Sequence, residues 1–175
     1  LTEAGARAIL LDFVFAAETD DDGQLAEAIS NAGNVVQPIV GLEDAQNHKR
    51  RVPRYNDNLT PNPLLLASSA AVGHTNIVHD DDGFVRQAPT IIQVDDSQYL
   101  SLAMAAIQVF LGIDETPNYD LMGGALEFAG RSIPVDSTGV MILNYAGPPT
   151  SSDNQTYQIV NYMSVIDESA PVELI

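Results

Sequence analysis

The stretch ARAILLDFVFAAETDDDGQLAEAISNAGNVVQPIV, residues 6–40, decides the fold. Residues 6–15 have an unbroken apolar centre. Apolarity that does not alternate marks a strand covered on both faces, as in a parallel sheet. An acidic loop follows, in which Asp20, Asp21 and Asp22 offer N-caps for a helix, DGQLAEAISNA. Leu25, Ile29 and Ala32 recur at i, i+4 and i+7 along one face of it. Gly33 closes the helix where left-handed backbone is favoured, and NVVQPIV (34–40) is the second strand. Strand, helix and strand in this order form a βαβ unit with a right-handed crossover, so 6–15 and 34–40 are expected as parallel neighbours.

Before this unit, LTEAG reads as the tail of a helix. After it, residues 41–62 are polar and hold four of the seven basic residues, in HKRRVPR (48–54), which suits a surface excursion. PNPLLLASSA opens with proline and predicts a short helix. VGHTNIVHDDDGFVRQAP (72–89) reads as strand, turn, strand. DDSQ (95–98) turns the chain into a helix over 99–112, with Ser101 as a cap. That helix is apolar nearly all round, so it must be covered on two sides, by the sheet and by another element or a partner chain. Residues 113–124 read as a loop, and 125–146 as a meander of three strands divided by Gly130 and the DSTG turn. A last strand or helix lies around TYQIVNYMSVI. The fold class is therefore α/β: one domain over 1–175, three layers, and a mixed central sheet with a βαβ start and an antiparallel hairpin and meander.

Seven basic residues face 24 carboxylates, for a net charge of −17. No basic patch can form to neutralise phosphates, which excludes nucleic acid and opposes anionic membrane. Such charge suits a high-salt or exported setting. Without cysteine there are no disulfides, zinc–thiolate sites or thiol catalysis. The most apolar segment, 99–112, is about 21 Å long as a helix at ~1.5 Å per residue. A bilayer core of about 30 Å exceeds it. The chain begins at Leu1 inside what reads as a helix end and stops in an apolar run, as a trimmed fragment would.

Two DDDG turns, at 20–23 and 80–83, invite a calcium reading. An EF-hand loop needs ligands at its positions 1, 3 and 5, glycine at 6 and glutamate at 12. With Gly83 at position 6, Val78 and Pro89 occupy the ends. With Gly23 there, Glu18, Asp20 and Asp22 fit but Ile29 falls at position 12. A looser cation loop at Glu18–Asp22 or helix capping by acids both remain open. His74 and His79 are an odd number of residues apart, on opposite faces of a strand, and cannot share an ion without a bulge. An aspartyl phosphatase would need an acid two residues after Asp12, where Val14 stands, and no G-x-S-x-G elbow occurs. Asp12, at the carboxyl end of the first strand, is either a site residue or a carboxylate bonded to the next loop. Arg86 is either the charge partner of the acidic turn or a clamp for an anionic ligand.

Taken in order, ARAILLDFVFAA, LAEAISNAGNVVQPIV, VGHTNIVHDDDGFVRQAP, YLSLAMAAIQVFLG and IPVDSTGVMILNYAGPP resemble the type-2 CHASE domain (cyclases/histidine kinases associated sensory extracellular). The G-H-x-N … D-x-D-G-x-x-R segment, the S-L-A helix start and the strand ending Asn144-Tyr145-Ala146-Gly147-Pro148 carry the likeness. Two pieces of the pattern are missing, an earlier strand with an I-D step and a closing G-K-I-V-L-I-G strand. The resemblance implies an extracellular or periplasmic ligand-sensing input domain, not itself an enzyme. It would belong to a bacterial membrane receptor whose output is an adenylate or guanylate cyclase, a histidine kinase or a Ser/Thr kinase. It implies a small-molecule ligand of unknown identity, a homodimer in the full-length receptor, and membrane anchorage through flanking segments. No cofactor, metal or catalytic residue is expected. The candidate ligand contacts are Asp12, His74, Asn76, Asp80, Asp82, Arg86 and Asn144. The alternative is a secreted acidic α/β enzyme of hydrolase type.

Overall fold

The computed structural model describes residues 1–44, 52–114, 117–120, 123–148, 156–167 and 169–170. Its contacts divide the chain into two compact units, one of residues 8–143 and one of residues 1–7 with 144–175. The larger unit contains β1 (Ile9–Leu10), α1 (Asp22–Ala32), β2 (Val35–Asp44), β3 (Arg54–Leu59), α2 (Pro63–Ser68), β4 (Ala71–His74), β5 (Gln87–Pro89), β6 (Ile91–Val94) and β7 (Ser97–Leu100). It continues with α3 (Leu102–Leu111), β8 (Asn118–Asp120), β9 (Ala125–Phe128), β10 (Arg131–Pro134) and β11 (Val140–Ile142). The smaller unit contains α4 (Tyr162–Ile166), capped by the Asn161 side chain, which accepts from the Met163 amide at 2.8 Å.

The fold is α/β with a mixed sheet. β1 and β4 both run parallel to β2, with Ile9 opposite Val35 and Val36 opposite Ala71. The expected parallel pair is there, but β1 is two residues long and not ten. Pro38 is the reason. The Ile9 and Leu11 amides donate to the carbonyls of Asn34 and Val36. The next rung would need an amide hydrogen from residue 38, which proline lacks.

Successive β2 side chains point to opposite faces. Val35 joins Ala26, Ile29 and Leu65 from α1 and α2, while Val36 joins Leu102, Ala105 and Ala106 of α3. Helices thus cover both faces, giving three layers. Gln37, on the α2 face, donates to the Leu65 carbonyl and to Ser69 Oγ, each at 2.7 Å. Asn62 caps α2 through the Leu64 and Leu65 amides and donates to Asp22 Oδ2 at 2.8 Å, which ties together the starts of α1 and α2. Asp22 also accepts from the Thr19 amide and hydroxyl, and its acidity is raised chiefly by the first of these.

Several expected boundaries move. The polar excursion after residue 40 begins as a continuation of β2 to Asp44, which pairs antiparallel with β3. Residues 45–51, including most of the basic run, lie outside the described residues. Tyr99 and Leu100 are in β7 and not in the helix, because Asp95, at φ 48°, makes a tight β6–β7 hairpin before Ser101 caps α3. The loop 113–124 contains β8, which pairs with β9. The meander has two antiparallel strands, β9 and β10, while β11 leaves to pair with β5. The arms of the 72–89 segment join different sheets: β4 is taken by β2, and β5 by β11. Only a bridge between Val78 and Gln87 survives of the expected hairpin.

Candidate functional site

The segment from His74 to Arg86 carries most of the candidate contacts, and the structure gives them different roles. His74 ends β4 opposite Ile39 and also bridges to Ser101. Its side chain is 2% exposed, and neither ring nitrogen has a hydrogen-bond partner. Burial lowers its pKa to about 4. Asn76 is committed elsewhere: its Oδ1 accepts from the Gly41 amide at 2.8 Å and its Nδ2 donates to the Gly41 carbonyl at 2.9 Å. The amide side chain thereby fastens the segment after β4 to β2 as a strand neighbour would.

DDDG at 80–83 forms a turn. The Asp80 amide donates to the Phe84 carbonyl and the Gly83 amide to the Asp80 carbonyl, each at 2.8 Å. Gly83 has φ 80°, as expected of glycine there. Arg86 forks onto Asp82, at 2.9 Å from Nη1 to Oδ1 and 2.9 Å from Nη2 to Oδ2. Its Nη1 also reaches Asp80 Oδ2 at 2.7 Å. The guanidinium sits 4.9 Å from the centre of the Phe84 ring. Arg86 holds the carboxyl of Asp82 below the usual range, helped by the Phe84 amide. The arrangement is that of a charge partner organising an acidic turn. Because the group is exposed, its ion pairs are screened.

The remaining candidates are apart from this turn. Asp12 is exposed just beyond β1. Asn144 is exposed at the start of the smaller unit's long segment. His74 is buried and His79 exposed. Among the described residues no group of three or more His, Asp or Glu side chains converges on a metal-sized site. The outer part of the 18–23 loop lines a small recess with Thr19, Asp22 and Asn62, whose polar atoms bond one another.

One feature was missed in the sequence. Between β10 and β11 lies a cleft of about 490 Å³, lined by Ile133, Pro134, Val135, Met141, Ile142 and Gln87, among others. These strands begin as a hairpin: the Asp136 amide donates to the Val140 carbonyl at 2.9 Å, and the Asp136 carboxylate accepts from Thr138 and Val140. The next bonded pair of an antiparallel ladder would be residues 134 and 142. Pro134 has no hydrogen to donate, the ladder stops, and the arms splay. The proline in SIPVD is the signal that marks this opening.

The alternation of bonded positions, helices on both sheet faces and the G-H-x-N … D-x-D-G-x-x-R turn together describe a small α/β domain without a converged catalytic centre among its described residues. A family model for the CHASE2 domain matches residues 1–174, and the chain belongs to that family. CHASE2 is a sensory, non-catalytic extracellular domain of signalling proteins. No curated protein and no solved structure matches the chain.

Proposed function

We propose that this chain is the ligand-sensing input domain, outside the cytoplasm, of a transmembrane receptor whose output is a nucleotide cyclase or a protein kinase. Family membership across residues 1–174 is the observation that carries the reading. The net charge of −17 suits an exported domain that must stay soluble beside an anionic membrane. Among the described residues no helix is long and apolar enough to cross a membrane, so anchorage falls to other segments. Of the candidate contacts, Asp12, Asp82, Arg86 and Asn144 are exposed to an arriving ligand.

These 175 residues contain no cysteine, so a thiol introduced among them is the only one this domain carries. An Asp81→Cys variant of the full-length protein, with any cysteines outside this domain replaced by serine, places one thiol on the exposed turn. A membrane-impermeant maleimide should label it in intact cells. Labelling that requires permeabilised cells would reject the receptor reading.

Receptors of this kind signal as pairs of chains, and α3 offers a surface for pairing. Its inner side, with Leu102, Met104, Ala105 and Ala106, is buried. On its outer side Ile107 is 43% and Leu111 45% exposed. Met104 sits 4% exposed in a cluster with Leu126, Phe128 and Val135. Met104→Glu should therefore unfold the domain, since truncating a buried methionine alone costs about 2–5 kcal/mol and the carboxylate adds desolvation. Ile107→Glu should leave it folded and shift the domain fully to monomer in sedimentation. The untethered wild type is expected as a monomer or weak dimer, because lost translational freedom opposes association. A folded Met104→Glu variant contradicts this placement of the helix.

A further inference from the structure

The walls of the β10–β11 cleft are strand edges. Gly139 and Leu143 bond towards β5, through the Thr90 amide and the Arg86 carbonyl. Alternation then turns the N–H and C=O of Ile142 away from β5 and into the cleft. Opposite, the Val135 amide bonds towards β9 through the Gly124 carbonyl, so the N–H and C=O of Ser132 and the carbonyl of Pro134 turn outward. Among the described residues neither edge has a further strand partner. The floor is apolar: Val135 is buried in the cluster with Leu126 and Phe128, and Ile133 and Met141 pack against that cluster. Ile142 stands 81% exposed at the rim. Among the described lining residues Asp136 is the one carboxylate, and the turn uses it.

We propose that this cleft binds an extended peptide by strand addition, with apolar side chains at alternate positions and basic flanks. The inference rests on the sensory reading, whose ligand it names as a peptide in place of the small molecule expected from sequence. Three features select a peptide. Edge amides and carbonyls on the walls match a backbone and would be left to water by a hydrocarbon chain. The apolar floor accepts every second side chain of a strand. The charge of −17 on the surrounding chain attracts basic flanks and repels acidic ones.

The test is an NMR titration of the isotope-labelled chain with a capped octapeptide of alternating valine and threonine between terminal lysines. The Ser132 and Ile142 amides should shift and gain protection from exchange. Replacing the end lysines by glutamates should weaken binding at least tenfold. N-methylation of alternate peptide amides should do the same, because it removes strand hydrogen bonds and keeps the side chains. Ile142→Pro should also weaken binding tenfold; the hydrogen it removes is not used in the β5 ladder. If that variant fails to fold, the methylated peptide decides alone. Equal binding of methylated and unmethylated peptide overturns the proposal, as does no shift at millimolar peptide. Shifts at the same amides with vesicles of phosphatidylethanolamine and phosphatidylglycerol, and none with peptide, also overturn it, in favour of a membrane contact. Failure here with successful maleimide labelling removes the peptide and leaves the receptor; peptide binding with failed labelling does the reverse.

Discussion

Alanine at Gly73 should destabilise the domain by about 3 kcal/mol, at the upper end of the cost of overpacking a core. An added Cβ would lie 2.6 Å from the Leu102 Cα, 2.8 Å from its nitrogen and 2.9 Å from the Ser101 carbonyl oxygen. All three are backbone atoms at the start of α3, so no side chain can swing away. Nor can the helix start retreat. The Ser101 amide donates to the Thr90 carbonyl at 2.9 Å, and the Ser101 hydroxyl accepts from the Met104 amide at 3.3 Å. Ser101 is also bridged to His74. Relief would require peeling α3 from β4 and opening the cluster of Val36, Ala105 and Ala106. Gly23→Ala is the control, since nothing lies within 4 Å of its added Cβ and alanine favours a helix. Urea midpoints should fall sharply for Gly73→Ala and hold or rise for Gly23→Ala. Equal midpoints for Gly73→Ala and wild type would mean that α3 does not rest on β4 as described.

The βαβ start was legible because its signals are local. Continuous apolarity, a 3.6-residue period and Gly33, which has φ 67° in the structure, all point one way. Strand length was less legible, since it depends on which partner carbonyl or amide a residue meets. Pro38 lies far along the chain from Leu11, yet it ends β1. Pro134 likewise turns an apparent meander into a splayed pair with a cleft between. In both cases the proline was visible and its consequence was not, because register is a property of two strands and not of one. The 72–89 segment misled for a related reason. Its turn chemistry reads correctly from Asp80 to Gly83, but turn chemistry does not say whether the arms stay together. β4 carries Gly73, which permits close approach to α3, and its parallel pairing with β2 outweighs a local hairpin.

Among the candidate contacts, the role of Arg86 was legible as one of two alternatives. The bidentate geometry on Asp82 supports the charge partner. Asn76 and His74 share a motif and lie two residues apart, yet they do different things. Asn76 replaces a strand partner for Gly41. His74 faces the opposite side of β4 from Gly73, towards the layer of α1 and α2, without a partner for either nitrogen. No one-dimensional pattern separates these cases, because satisfaction of a polar group depends on neighbours brought in by the fold.

His74 should make stability depend on pH in a window where the carboxylates do not. Its pKa, lowered to about 4 by burial, lies below the ordinary 6.5 of an unfolded chain. Between these values the unfolded state binds a proton that the folded state refuses, so stability rises with pH. The stabilisation is fully present above about 6.5 and declines as pH falls, levelling off below about 4; at about 1.36 kcal/mol per unit the loss is about 3 kcal/mol. Asp22 and Asp82 act in a separate, lower window. Their acidity is raised, by the Thr19 amide and by Arg86 respectively. They stabilise the fold above the unfolded carboxylate value of 3.8 and lose that contribution as pH falls below it. Urea midpoints followed from pH 7.5 to 4.5 should therefore fall for the wild type and stay nearly flat for His74→Leu. Leucine also removes two nitrogens that the fold leaves without partners, so its midpoint at pH 7.5 should equal or exceed that of the wild type. A His74→Leu variant that keeps the wild-type slope would show that another group takes up the proton. A variant less stable at pH 7.5 would mean that the imidazole has found a partner, and its burial would then no longer be a pure cost.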